Sequence, residues 1–326
     1  MMVEAHKEWK ELEAQSGLSL YTKTGILVLG RGTDPKLLAY QSSMRQAGAP
    51  CNMLSHQELT QKYSNLLHSQ PEDTALWEPD GGLLLNGHCI FALLSACKSA
   101  GVSIRDGAPM KQIVPGPEAT VVLHCGERLK ADTVVITMGP WAPKFLKQQL
   151  ELDLPIWSAR TITTFWKEML PGTYAAENGA PGVLFRGDIP YYFKPTLEYK
   201  GLLQFGAHYG HPADPDDPEK ATELLRLDYI SRCRELALKY KLKVDTSGPV
   251  VVENCFYTES IDTDFVLDKH PKYANIVIGT GFSGHGFKLA PVVGDILARL
   301  VCSLPPKYDL DMFSIKRFGK LASSKL

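Results

Sequence analysis

Two continuous apolar runs constrain this 326-residue chain more than any other feature: residues 132–137 (DTVVIT) and 275–279 (NIVIG). Successive apolar residues without alternation suit strands buried on both faces, the environment of a parallel sheet. The first run ends at Met138-Gly139-Pro140-Trp141 and the second runs into a glycine-rich string. Between them, residues 161–166 and 201–207 read as antiparallel strands of a second region. Parallel-type strands early and late, with antiparallel ones between, describe an α/β chain whose two domains interleave.

Helical patterns fill much of the rest. Residues 1–15 form an amphipathic helix, with Trp9 and Leu12 opposite Glu4, Lys7 and Glu11. Residues 35–46 are helical and stopped by Gly48 and Pro50, and Ser55 starts a short helix reaching Tyr63. An apolar helix over 86–100 closes at Gly101, the longest helical pattern spans 218–241, and a helix over 291–302 ends at Pro305-Pro306. Further strands are expected at 18–21, 25–30, 102–105, 121–124 and 250–257.

Lys and Arg number 35 against 36 Asp and Glu, so charge offers no attraction for nucleic acid or an anionic membrane. No run reaches transmembrane length and no charged-then-apolar leader opens the chain, so a soluble, non-secreted protein is expected. Seven cysteines, odd in number and never spaced C-x-x-C, fit a reduced compartment and not a disulfide scaffold. The chain ends in Ser324-Lys325-Leu326, the peroxisomal address, which implies a peroxisomal import receptor as partner.

Gly279-Thr280-Gly281-Phe282-Ser283-Gly284 is a literal G-x-G-x-x-G, whose glycines elsewhere let backbone approach a phosphate. As a dinucleotide fingerprint it fails on context, because no second apolar strand ending in an acid follows it. His208 and His211 beside Asp214 and Asp216 lie in a Gly/Pro/Asp loop without a third firm ligand, so no metal site is expected. Ser283 is not set in a nucleophile elbow.

A longer set of blocks is more specific: Cys255-Phe256-Tyr257-Thr258, residues 264–271 (DFVLDKHP), and residues 275–288 (NIVIGTGFSGHGFK) continuing through Gly294. In order and length these resemble the C-terminal signature of the sarcosine oxidase and pipecolate oxidase family. Its members are FAD amine oxidases with the D-amino-acid-oxidase type of fold. The likeness extends more loosely over the whole chain, and residues 137–141 resemble the family's sheet-to-helix turn beside the flavin, which places Gly139 and Trp141 near the cofactor. The resemblance implies an FAD-binding domain over 1–20, 84–155 and 262–326. An antiparallel-sheet substrate domain would take 21–83 and 156–261.

It also implies roles. Cys255 would hold FAD covalently, Tyr257 and His208 would sit at the substrate, and Tyr192 would line the pocket. Lys288 would pair with the substrate carboxylate through a charge-assisted bond and lie beside the flavin. Gly281, Gly284 and Gly286 would let backbone lie against the isoalloxazine, and His285 would shape the turn. The implied activity is oxidation of a secondary α-amino acid (sarcosine, pipecolate or proline) by a monomer, giving an imine, with molecular oxygen yielding hydrogen peroxide.

Two departures from the family pattern stand out. Gln204 occupies the strand position where the family carries a lysine thought to help oxygen accept electrons, so stabilisation of developing superoxide would be weakened. A flavin dehydrogenase with another acceptor is therefore a rival reading. Family members also open with a strand, a true G-x-G-x-x-G turn, a helix and a ribose-binding acid. By resemblance Met1 falls beyond these first βαβ elements, so the chain as it stands is expected to bind FAD poorly, and an inactive remnant is the second rival.

Overall fold

The computed structural model describes residues 1–187, 190–217 and 222–319; the tail tripeptide at 324–326 lies outside these. The chain opens with α1 (Met2–Ser16), β1 (Tyr21–Lys23) and β2 (Ile26–Arg31). Next come α2 (Pro35–Gln46), β3 (Asn52–Leu54), α3 (His56–Tyr63), β4 (Asp73–Glu78), β5 (Gly82–Leu84) and α4 (Asn86–Ser99). Local chemistry sets several of these boundaries. Asp34 caps α2 through the Lys36 amide with Pro35 at the first helical position, and Ser55 with Glu58 forms a reciprocal capping box on α3.

Three short strands, β6 (Met110–Val114), β7 (Ala119–Leu123) and β8 (Arg128–Ala131), make a separate antiparallel sheet. The first apolar run then forms β9 (Val134–Ile136), followed by α5 (Ala142–Leu150). The middle of the chain supplies β10 (Ile156–Lys167), β11 (Gly182–Phe185), β12 (Tyr191–Pro195), β13 (Leu202–Ala207), β14 (His211–Pro212), α6 (Thr222–Lys239) and β15 (Val251–Ser260). Last come β16 (Val266–Lys269), β17 (Ile276–Thr280) and α7 (Gly286–Val301).

β9 and β17 pair in parallel, and β16 pairs antiparallel with β17. Every residue of β17 is buried. β9 departs from the expectation of burial on both faces: Val134 and Ile136 pack with α5, whereas Val135 is 41% exposed. β9 is an edge strand among the described residues, and α7 packs on β16, β17 and α1. Residues 102–105 are not a strand either; the Val102 amide closes α4 on the Cys97 carbonyl, and the segment joins no ladder. The last helix starts at Gly286, ahead of the expected 291, and carries Pro291 inside it.

The large sheet, of nine strands among the described residues, runs β14-β10-β13-β12-β11-β2-β4-β3, with β15 also pairing β10. The segments 161–166 and 201–207 are antiparallel neighbours in it, as their patterns suggested. Strand alternation splits its residues between two faces. Ile162, Trp166, Phe193, Leu203 and Phe205 enter a core shared with Tyr229, Cys233 and Ala237 of α6. Thr161, Thr163, Tyr192, Lys194, Gln204, Cys255 and Tyr257 are left for the opposite face.

Candidate active site

That opposite face forms one wall of a cavity of about 380 Å³, lined by Thr161, Thr163, Tyr192, Lys194, Gln204, Cys255 and Tyr257 among others. The register explains the grouping. Thr161 faces Cys255 across the β10–β15 ladder, Tyr192 faces Gly206, and Lys194 faces Gln204 across β12–β13. A side chain at Gly206 would collide with the Tyr192 ring and hydroxyl, so the glycine makes the space that ring occupies. Thr163 lines the same wall, and its hydroxyl favours the ionised forms of Tyr192 and Cys255. Burial pushes the Tyr192 phenol up to about 12 and raises Tyr257 as well, so both are protonated donors at neutral pH. Burial also raises the Cys255 thiol, with the Thr163 hydroxyl opposing.

The loop from β17 to α7 meets this wall at Tyr257. Gly281, Ser283 and Gly284 all have positive φ. At Gly284 (φ +76°) a Cβ would stand 2.8 Å from the Tyr257 ring, so glycine is required by backbone and neighbour alike. Two bonds tie the loop to β15: the Ser283 amide donates to the Thr258 carbonyl (2.9 Å) and the Ser260 amide donates to Ser283 Oγ (3.1 Å). Gly286 opens α7 with the Phe282 side chain closely against it.

Lys288 lies on the first turn of α7, and its ammonium donates to His285 Nδ1 at 3.1 Å. That is the ammonium's one hydrogen-bond or ion-pair partner among the described residues. The His285 ring is 5.4 Å from the His208 ring, which is 5.3 Å from Tyr192. Burial first, and the Lys288 charge second, push His208 and His285 down to about 4. Both imidazoles are therefore neutral near pH 7, and Lys288, itself lowered by burial, holds the cluster's positive charge. Trp9 of α1 anchors the turn, stacking on Phe287 and donating from Nε1 to the Lys288 carbonyl at 3.0 Å.

Gly139 and Trp141 form the short turn after β9, packed on β10 and β15, with Ser158 Oγ donating to the Pro140 carbonyl. Trp141 is 46% exposed and donates to Asp216 at 2.9 Å. Asp214 and Asp216 are both taken by Lys144. Thr280 Oγ1 and His208 Nδ1 are buried and, among the described residues, without a hydrogen-bond partner. Unpaired polar atoms beside a loop with crowded glycines fit a planar, hydrogen-bonding group laid against the loop. Sequence reasoning passed over Thr163 and Lys194, whose only signal was period-2 alternation, and saw His285 as a turn-shaper without its bond to Lys288.

A parallel strand pair feeding a glycine loop and helix, set against an antiparallel sheet that carries the polar side chains, defines a flavin-type oxidoreductase architecture. The chain belongs to the FAD-dependent oxidoreductase family, whose model matches residues 1–300. It is 37% identical over 331 residues to the peroxisomal sarcosine oxidase of Homo sapiens, covering all of this chain and 83% of that protein. It is 28% identical to the monomeric sarcosine oxidase of Bacillus sp. (strain B-0618), over 95% of this chain and 78% of that one. Among solved structures, L-proline dehydrogenase from P. horikoshii superposes with a TM-score of 0.79 at 21% identity, covering 98% of this chain and 82% of that one. The α/β fold of D-amino-acid-oxidase type expected from the sequence is thus the fold observed.

Proposed function

We propose that this chain oxidises a secondary α-amino acid of the sarcosine, pipecolate or proline class, yielding an imine and, with dioxygen, hydrogen peroxide. The observation that carries this reading is Lys288, a half-buried ammonium whose partner is a neutral imidazole and which lacks an acidic partner among the described residues. Such a cation is completed by a carboxylate, through a charge-assisted hydrogen bond. Neutral His208 and protonated Tyr257 and Tyr192 supply hydrogen-bonding groups without competing charge.

FAD, when bound, supplies the acceptor for the hydride leaving the carbon next to the amine nitrogen. Cys255 is the proposed tether, Gly281, Gly284 and Gly286 the backbone against which the ring lies, and Gly139 and Trp141 the turn at its side. The chain's own work is to hold the carboxylate, orient the C–H bond and exclude water. We also carry forward the division into an FAD-binding part (1–20, 84–155, 262–326) and a substrate part (21–83, 156–261). A monomer delivered to the peroxisome through residues 324–326 completes the reading, supported by the name of the human relative.

The test mixes FAD-loaded protein anaerobically with sarcosine, L-pipecolate or L-proline and then admits oxygen. Bleaching of the yellow colour by at least one of these, with peroxide formed on reoxidation, is the expected result. Protein that stays yellow with all three refutes it.

A further inference from the structure

The cavity wall carries one more cation. Lys194 is half-buried on β12, two residues from Tyr192 and on the same face, and lines the cavity that Cys255 lines. Its ammonium makes no hydrogen bond or ion pair among the described residues. The acidic side chains nearest the cavity are engaged by hydroxyls: Glu253 accepts from Tyr199 (2.9 Å) and Glu198 from Thr196 (3.3 Å). Glu198 contributes only a through-space attraction to Lys194, and burial draws the ammonium below its ordinary range. Holding a desolvated, unpaired ammonium is unfavourable, so a residue of this kind marks a place where negative charge arrives.

Register says where. Lys194 stands directly opposite Gln204 across the β12–β13 ladder, both facing the cavity. Directly opposed side chains are about 5 Å apart at Cβ, so the ammonium of one can serve the space in front of the other.

We infer that Lys194 is the cation that faces dioxygen as it is reduced, doing from β12 what the neutral Gln204 on β13 cannot. This rests on the oxidase reading above. Dioxygen takes two electrons from the reduced cofactor and two protons and leaves as hydrogen peroxide. Its O–O single bond survives, and nothing bonds to the protein. The first electron makes an anion, and a half-buried ammonium fixed on the cavity wall stabilises that charge with little reorganisation. The same charge raises the electron affinity of a flavin bound beside Cys255.

The experiment uses FAD-loaded protein photoreduced without any amino acid, so that it does not depend on the substrate. Lys194→Gln should slow reoxidation by oxygen by about tenfold or more and lower the flavin's midpoint potential. The exchange Lys194→Gln with Gln204→Lys should restore most of both, since it returns one ammonium to the same cavity. Wild-type reoxidation that Lys194→Gln leaves unchanged overturns the assignment alone. Reduced wild-type flavin that feeds a dye but not oxygen overturns both the assignment and the oxidase reading.

Discussion

Replacing Lys288 by methionine removes the ammonium while keeping most of the side chain's length, and leaves the Lys288 carbonyl free to accept from Trp9 as before. His285 Nδ1 loses its donor, but a neutral imidazole can turn to another partner. The loss therefore falls on whatever carboxylate the ammonium holds. A hydrogen bond to a charged group contributes about 1.5–3 kcal/mol, which corresponds to roughly 10- to 150-fold in affinity. The carboxylate is not the group that reacts, and its contact is the same before and during C–H cleavage. The effect should then appear mainly in KM, with kcat changed little. Steady-state kinetics with sarcosine and L-pipecolate, backed by titration with an unreactive carboxylate, measures both. An unchanged kcat/KM would show that Lys288 does not meet substrate. A fall in kcat with KM intact would refute the anchoring role and place Lys288 in the chemistry.

Three other sites and one pH profile extend the test. Cys255→Ser should release FAD into the filtrate after acid denaturation, whereas the wild-type colour stays with the protein; wild-type colour passing freely would falsify the tether. Gly284→Ala forces an L side chain to φ +76° and sets a Cβ 2.8 Å from the Tyr257 ring, so a loss of about 1–3 kcal/mol should show in denaturant unfolding; a variant as stable as wild type counts against the strain. Gly206→Ala should displace Tyr192 and weaken substrate binding more than stability, and unaltered KM would show that the ring's place does not matter. Carboxylate binding should be flat near pH 6–8, where an ordinary histidine titrates, because both imidazoles are already neutral above about 4. It should decline as pH rises through the lowered Lys288 value, earlier than for an exposed lysine; a step near pH 6.5 would mean that an imidazolium shares the anion.

The residues that could be read from sequence are those whose signal is local. Asp34-Pro35 and Ser55 with Glu58 announce helix starts because a cap needs only its own next turn. Likewise Ile276-Val277-Ile278 announces a buried strand because three apolar residues follow one another without alternation. Cys255, Tyr257 and Lys288 stood out because they sit inside long motif blocks; Cys255 and Tyr257 lie on the sheet face that lines the cavity, and Lys288 on the first turn of α7. What sequence could not supply is register. The same kind of apolar run at 132–137 is half open, since burial depends on which helix covers it. His285 seemed to serve the turn because nothing in the string shows Nδ1 aimed at Lys288.

The deepest case is the pair on β12 and β13. Gln204, taken as one position on one strand, looks like the loss of a charge. Lys194, ten residues earlier in a stretch rich in aromatic residues and followed by proline, looks like an exposed lysine. The hairpin sets them side by side on the cavity wall. An electrostatic field depends on where the charge stands and not on which strand carries it. A substitution that removes an ammonium at one position can therefore be offset by one that adds it at the facing position, provided the two share a face. Period-2 geometry meets that condition here: Lys194 and Tyr192 are two apart on β12, and their partners Gln204 and Gly206 are two apart on β13. Charge balance in such a site has to be counted over facing pairs, and counted that way this site keeps a cation.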